Sequence, residues 1–369
     1  MAGRRRWLHQ KRASGRYAPP LVHVWIVAPF FVAVAIALSF QIYQFVYGLL
    51  ADAASETDPP KSVNVSEAIR SAVAIIGLIG AALAGVYAYR KQRIAEGDAH
   101  RADAKQLADR YTTAAEQLGH DKAAVRLAGV YALGQLSDEW EEQRQVCIDV
   151  LCAYLRMPYE TDPTASGYRE GEREVRHTII RVVREHLQGA GTSAGSSPSW
   201  SNCNFDFTGA TFDGGNLSNS RFEGMVLFDR ARFFGGTVSF DGVTFSPSST
   251  VSFERATFSG GTVSFSGAEF FGGTVSFKRA RFSGATVSFD DGKFSNGTVH
   301  FNGATFLPGS TVSFEGTRFS TGTVHFNGAM FSGSTVLFAG AAFSSGTVWF
   351  SNAKFSRGIV AFDGATFSG

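Results

Sequence analysis

The chain has 369 residues, with 34 Lys and Arg against 32 Asp and Glu, and a net charge of +2 that lends nucleic-acid binding no support. Its length allows two or three domains. The three cysteines, Cys147, Cys152 and Cys203, form no Cys-x-x-Cys pair and match no zinc-site spacing, so they read as free or buried thiols of a reducing compartment.

The first predicted segment, residues 1–20, is a basic tail carrying Arg4, Arg5, Arg6, Lys11, Arg12 and Arg16 without an acidic partner. Residues 21–50 and 71–89 then contain no Asp, Glu, Lys or Arg. A spanning helix needs about 20 apolar residues, so both runs predict transmembrane helices around a short external loop, 51–70. Trp25, Tyr43, Tyr47, Tyr87 and Tyr89 sit toward the run ends, where amphipathic rings favour the interface. Gly77, Gly80, Ala81, Ala84 and Gly85 give the second run a small face for a helix hairpin. Basic residues flank the pair on its outer sides, whereas the loop carries Asp52, Glu56, Asp58 and Glu67 against Lys61 and Arg70. That bias predicts a multi-pass cell-membrane protein with both termini cytoplasmic. Arg4-Arg5-Arg6-Trp7-Leu8 resembles a twin-arginine signal, but the apolar run is about twice a normal signal core.

Residues 90–188 predict a small α-helical bundle. Leu107, Tyr111, Ala114 and Leu118 share one helical face. Gly119-His120-Asp121 breaks that helix, with Asp121 as N-cap of a second bearing Val125, Ala128, Ala132 and Leu136. A third, near Glu142 to Met157, presents Val146, Val150, Leu151 and Leu155; a fourth, near Glu172 to Leu187, presents Val175, Ile179, Val182 and Val183. Two of these helices resemble a HEAT-like pair, and a plain helical adaptor is the simpler reading. A Gly/Ser linker, 189–201, follows.

From residue 202 to 369 a repeat takes over. Valines recur from Val226 to Val360 every twelve residues, thirteen at two places, each followed by Phe two and seven positions later. Ala268, Ala280 and Ala304 illustrate the small residue two positions before the second Phe. In Thr262-Val263-Ser264-Phe265 alternation sends Val and Phe inward and Thr and Ser outward, while Ser259-Gly260-Gly261 and Asn302-Gly303 supply corners. Two Phe, one Val and one Ala overfill a coil of twelve residues, so two units per turn are expected, giving about six coils with residues 24 or 25 apart stacked.

The pattern resembles the pentapeptide-repeat family, on the strict five-residue step of Phe207, Phe212, Leu217 and Phe222 and the later alternation of five and seven in Phe265, Phe270 and Phe277. It is similar to a Phe-rich, membrane-anchored variant found in actinobacteria. The resemblance implies a right-handed four-sided parallel β-helix. The whole chain is then a multidomain α plus β protein: transmembrane hairpin, helical bundle and C-terminal solenoid.

Nothing in the sequence reads as catalytic: it has no nucleophile elbow, phosphate loop or metal-ligand pair at helical spacing, so neither enzyme activity nor a cofactor is expected. Some pentapeptide-repeat proteins mimic DNA toward topoisomerases, but eleven acidic and eleven basic residues from Asn202 onward do not make a field of one sign. Ice binding fails because the outward Ser gives way to His300, His325, Leu337, Trp349 and Ala361. The reading is a membrane-tethered scaffold for an unidentified protein partner. The alternative is a membrane sensor coupling the external loop to a cytoplasmic partner. Stacking by 24 or 25 residues puts His300, His325 and Trp349 in one outward column and Leu337 and Ala361 in the opposite one. The candidate interaction surface is His300, His325, Leu337, Trp349, Ile359, Phe362 and Phe367, with homodimer formation through the C-terminal solenoid end.

Overall fold

A computed structural model describes residues 24–55, 65–188 and 199–368, apart from positions 248, 322 and 346. The basic tail, the middle of the 51–70 loop and most of the 189–201 linker therefore lie outside the described residues. Two compact units emerge, residues 1–101 and 102–369.

In the first unit, α1 (Val24–Ser55) covers the described part of the first apolar run. The second run lies within α2 (Val65–Leu118). Both helices leave large apolar side chains bare, among them Ile36, Leu38, Phe40, Phe45, Leu83 and Tyr87. Among the described residues one stretch, Ile69–Gln92, is long and apolar enough to cross a membrane. Of the expected pair of spans the described residues show one qualifying segment, and the two-helix hairpin is not shown.

The second unit joins the end of α2 to α3 (Ala123–Glu139), α4 (Arg144–Arg156) and α5 (Glu172–Leu187). α5 has the expected bounds and buries the expected Val175, Ile179, Val182 and Val183. α3 departs from expectation. It buries the expected Leu136, but with Arg126, Gly129, Val130, Leu133, Gly134 and Ser137, while Val125 and Ala132 are part-buried and Ala128 is exposed. The reason is close packing: a Cβ on Gly129 would sit 2.6 Å from the Leu118 nitrogen, so the glycine face, not the alanine face, meets α2. Asp121 does not cap α3. The N-cap is Lys122 without a side-chain bond, and the Asp121 carbonyl instead accepts from Arg126. On α4 the expected Leu151 and Leu155 are buried, but Val146 is exposed and Cys147 and Ile148 take its place in the core.

The solenoid has four parallel seven-stranded sheets, so the chain makes seven coils. Face one runs from Phe205–Asp206 to Thr347–Trp349, and face two from Thr211–Phe212 to Lys354–Ser356. Face three runs from Gly215–Asn216 to Ile359–Ala361, and face four from Arg221–Phe222 to Thr366–Ser368. The extra coil beyond the expected six is the entry segment itself: its five-residue steps close a shorter turn, pairing Phe205 with Val226. Later coils are longer because glycine-bearing corners such as Gly260-Gly261 and Gly272-Gly273, all at positive φ, lead into faces three and one. Their register is Val251 on Val275 and Val299 on Val324. At about 4.8 Å between neighbouring strands, the first and last of the seven coils stand roughly 29 Å apart.

Four phenylalanine ladders fill the bore. Phe253, Phe277 and Phe301 stack at centroid distances of 4.7 and 4.9 Å; Phe265, Phe289 and Phe314 stack at 4.9 Å in both steps. Phe258 to Phe282 and Phe270 to Phe294 continue the other two at 4.8 and 4.5 Å. Neighbouring ladders meet edge to face, as in Phe265 against Phe277 at 90°. Offset stacks along the axis and T-contacts across it are the two favourable arrangements of the ring quadrupole. The corners beside the ladders hold compact residues, mostly Ala256, Ala268, Ala280 and Ala304, with Val243 and Thr317 buried at the equivalent positions.

Candidate interaction surfaces

Four features stand out on the solenoid and its helical partner: a capped end, an open end and two charged edges. At the capped end α4 and α5 close the first coil. Trp200 stacks on His186 at 3.9 Å, and both rings bond to Asp138, through the Trp200 indole N–H at 3.2 Å and His186 Nε2 at 3.1 Å. Asp213 receives Tyr159 Oη at 2.7 Å, Arg173 Nε at 2.9 Å and His177 Nε2 at 3.0 Å. Burial by itself raises that carboxyl, yet these three bonds outweigh it and hold Asp213 down at about 2. Beneath it, Glu172 lies between two buried guanidinium groups, 3.4 Å from Arg126 and 3.9 Å from Arg176, and accepts from Tyr154 Oη at 2.8 Å. Arg176 also reaches the Leu155 and Thr211 carbonyls, tying α4, α5 and the first coil together.

The sequence-derived residues divide among three places. His300, His325 and Trp349 lie in one column of face one, each paired with the next. Leu337 lies on face three between Ser313 and Ala361. Ile359, Phe362 and Phe367 belong to the last coil, at 60, 37 and 66 % exposure. They do not form one patch. The two His rings stack 5.0 Å apart and 17° from parallel, so their in-plane lone pairs run nearly side by side instead of converging. Burial, then the positive charge of Lys278 and His325, presses His300 down to about 4.

The outward serines have a role the sequence did not disclose. Ser252 and the Glu254 amide both donate to Asp229 of the coil below, and Ser264 and the Ser266 amide do the same to Asp241. The face-one and face-three serines thus splice coils together through carboxylates. Burial raises the thiols, pushing Cys147 up to about 11 and Cys152 up to about 12.

The edges were also missed. Between faces one and two, Arg230, Arg255 and Arg279 occupy the left-handed position of the turn at φ 56, 57 and 58°. In later coils Gly303 and Gly328 hold that position. The signal was available as arginines spaced by one coil, once the coil length was known.

A parallel four-sided β-helix with four Phe ladders defines a repeat solenoid. It is a pentapeptide-repeat solenoid: the family described as Pentapeptide repeats (9 copies) matches residues 207–251. No curated protein matches the chain. Among solved structures, a pentapeptide-repeat protein (Rfr23) from the cyanobacterium Cyanothece 51142 is similar at 9% identity and TM-score 0.14, over 31% of this chain and 63% of its own. The chain thus spans less than two thirds of that relative. Two trypsin-treated variants of QnrB1, a plasmid-mediated fluoroquinolone resistance protein, are similar at 21% and 17% identity, with TM-scores of 0.13 and 0.11. They are matched over 80% and 78% of their own lengths and 45% and 39% of this chain. Scores this low carry no inference about function.

Proposed function

We propose that this protein is a membrane-anchored, non-enzymatic scaffold that presents its solenoid to a protein partner in the cytoplasm, with α1 and Ile69–Gln92 as two spans. The observation that carries the reading is the bare apolar surface of both helices, Phe40 and Phe45 on α1 at 62 and 69 % exposure and Leu83 on α2 at 66 %. Water does not tolerate apolar surface of this extent, whereas a bilayer removes its cost, and a helix satisfies its own backbone there. The flanking arginines support cytoplasmic termini. Fusing reporters after residue 369 and within residues 56–64 tests the topology. A reporter active in the cytoplasm at the first site and outside it at the second is expected; activity outside at the first overturns it.

The open end favours a second copy as one partner. The last coil leaves the rings of Phe355, Phe362 and Phe367 bare at the end of three ladders, beside strand edges that pair on one side. Another copy brings the same rings and edges, so an isologous end-to-end contact covers both. Phe362→Asp is expected to abolish such pairing in the detergent-solubilised full chain, with high salt leaving the native contact intact. Unchanged association of that variant contradicts it.

A further inference from the structure

The balanced charge of the solenoid conceals a separation that only the coil geometry reveals. Faces follow one another around the square bore, so the corner joining faces one and two lies diagonally opposite the corner joining faces three and four. At and beside the first corner stand Arg230, Arg232, Arg255, Lys278, Arg279 and Arg281. Lys278 is half-buried, the five arginines are exposed, and none has an ion-pair partner among the described residues. The acidic residues at this corner, Asp229 and Glu254, are turned to the serine ladder, accepting from Ser252 and Ser276. At and beside the opposite corner stand Asp241, Glu269, Asp290, Asp291 and Glu315. Asp241 and Asp290 accept from Ser264 and Ser313, as Asp229 and Glu254 do from their serines. Lys293 pairs with Glu269 at 2.7 Å, and Arg221 and Arg318 flank the row, so Asp291 and Glu315 are its exposed acids. The basic edge is held at a conformational cost. Arg230, Arg255 and Arg279 stand in left-handed backbone that disfavours a side chain and that glycine fills freely in the fifth and sixth coils. Residues kept in strained backbone point to a function for their side chains.

We infer that the two edges bind each other between copies: the basic edge of one solenoid docks on the acidic edge of a second, side by side. The exposed charges gather near the middle of the stack, Arg255, Arg279 and Arg281 of the third and fourth coils against Asp291 and Glu315 of the fourth and fifth. Each copy keeps one edge free after pairing, so the contact is heterologous and extends into rows. It is separate from the end-to-end contact and opposite to it in salt response, since facing charges at a rim are screened within about 10 Å at 0.1 M salt.

The test is a charge swap, read by sedimentation of the detergent-solubilised full chain at micromolar concentration. The starting chain carries Phe362→Asp, which removes the end contact. Arg230→Glu/Arg232→Glu/Arg255→Glu/Arg279→Glu makes both edges acidic, and Asp291→Lys/Glu315→Lys turns the acidic edge net basic, so that both are basic; all six positions are exposed. Self-association of the parent at low salt is expected to weaken at least tenfold in high salt and to be lost in each variant alone. Mixing the two variants is expected to restore it. Helical and thermal signatures matched to the parent establish that each variant is folded. A parent that is monomeric at low salt, variants that associate like the parent, or a folded mixture that stays monomeric overturns the inference. So does a monomeric parent that binds poly-glutamate, which assigns the basic edge to a foreign acidic partner.

Discussion

Single side chains settle how this fold is closed and where it is strained. Asp213 is ionised in the folded protein down to about 2, below the ordinary carboxylate value of about 4. Its contribution is complete above about pH 4 and is lost as pH falls toward 2, since protonation then favours the unfolded chain. Asp213→Asn is therefore expected to lower the melting temperature at pH 7 and to flatten its decline between pH 4 and 2, measured by calorimetry. His300 acts in the same direction over another window. Held neutral to about 4, it opposes folding as pH drops below its ordinary value of about 6.5, so His300→Ser is expected to remove part of the stability loss between pH 6.5 and 4. Arg255 bears on strain: Arg255→Gly relieves a left-handed penalty of ~1–2 kcal/mol while adding ~0.5–1 kcal/mol of unfolded-chain entropy, a net gain of up to about 1 kcal/mol. A higher denaturation midpoint checks it. At this scale the sequence was only partly legible. Alternation identified the inward Val and Phe, but Arg126 reads as a surface residue until Glu172, 46 positions later, is brought 3.4 Å from it.

At the scale of elements, burial within a ladder and burial at a junction differ in kind. Phe289 is fully buried between Phe265 and Phe314, so Phe289→Ala is expected to cost about 3–5 kcal/mol, whereas Phe367→Ala, at 66 % exposure, is expected to cost under about 1 kcal/mol. Equilibrium denaturation of the full chain separates the two. The junction rests on Glu172: Glu172→Gln leaves the Arg126 and Arg176 charges without their counter-ion and is expected to cost about 3–5 kcal/mol. A cost near zero in the same assay contradicts the bolted-cap description. Helices with a clear apolar period, such as Glu172–Leu187, could be bounded from sequence. The face of α3 could not, because Gly129 and Arg126 pack it through close approach and charge, which hydrophobic periodicity does not register. The seventh coil was hidden for a similar reason: its five-residue steps omit the valine that marks the others.

For the whole molecule, the sequence conveyed the order of its parts better than their joining. The repeat declared the solenoid because each coil repeats the same inward residues. No repeat announces that α4 and α5 cover its first coil, since that contact is made once, by Arg156, Arg176 and Trp200. Charge was legible as a total and not as a distribution, because edges exist only after the chain is wound. The central claim is that this solenoid is held at a membrane, and alkaline carbonate extraction of membranes from cells making the full chain tests it most directly. The account predicts that the chain stays in the membrane pellet and is released only by detergent; release into the carbonate supernatant contradicts it.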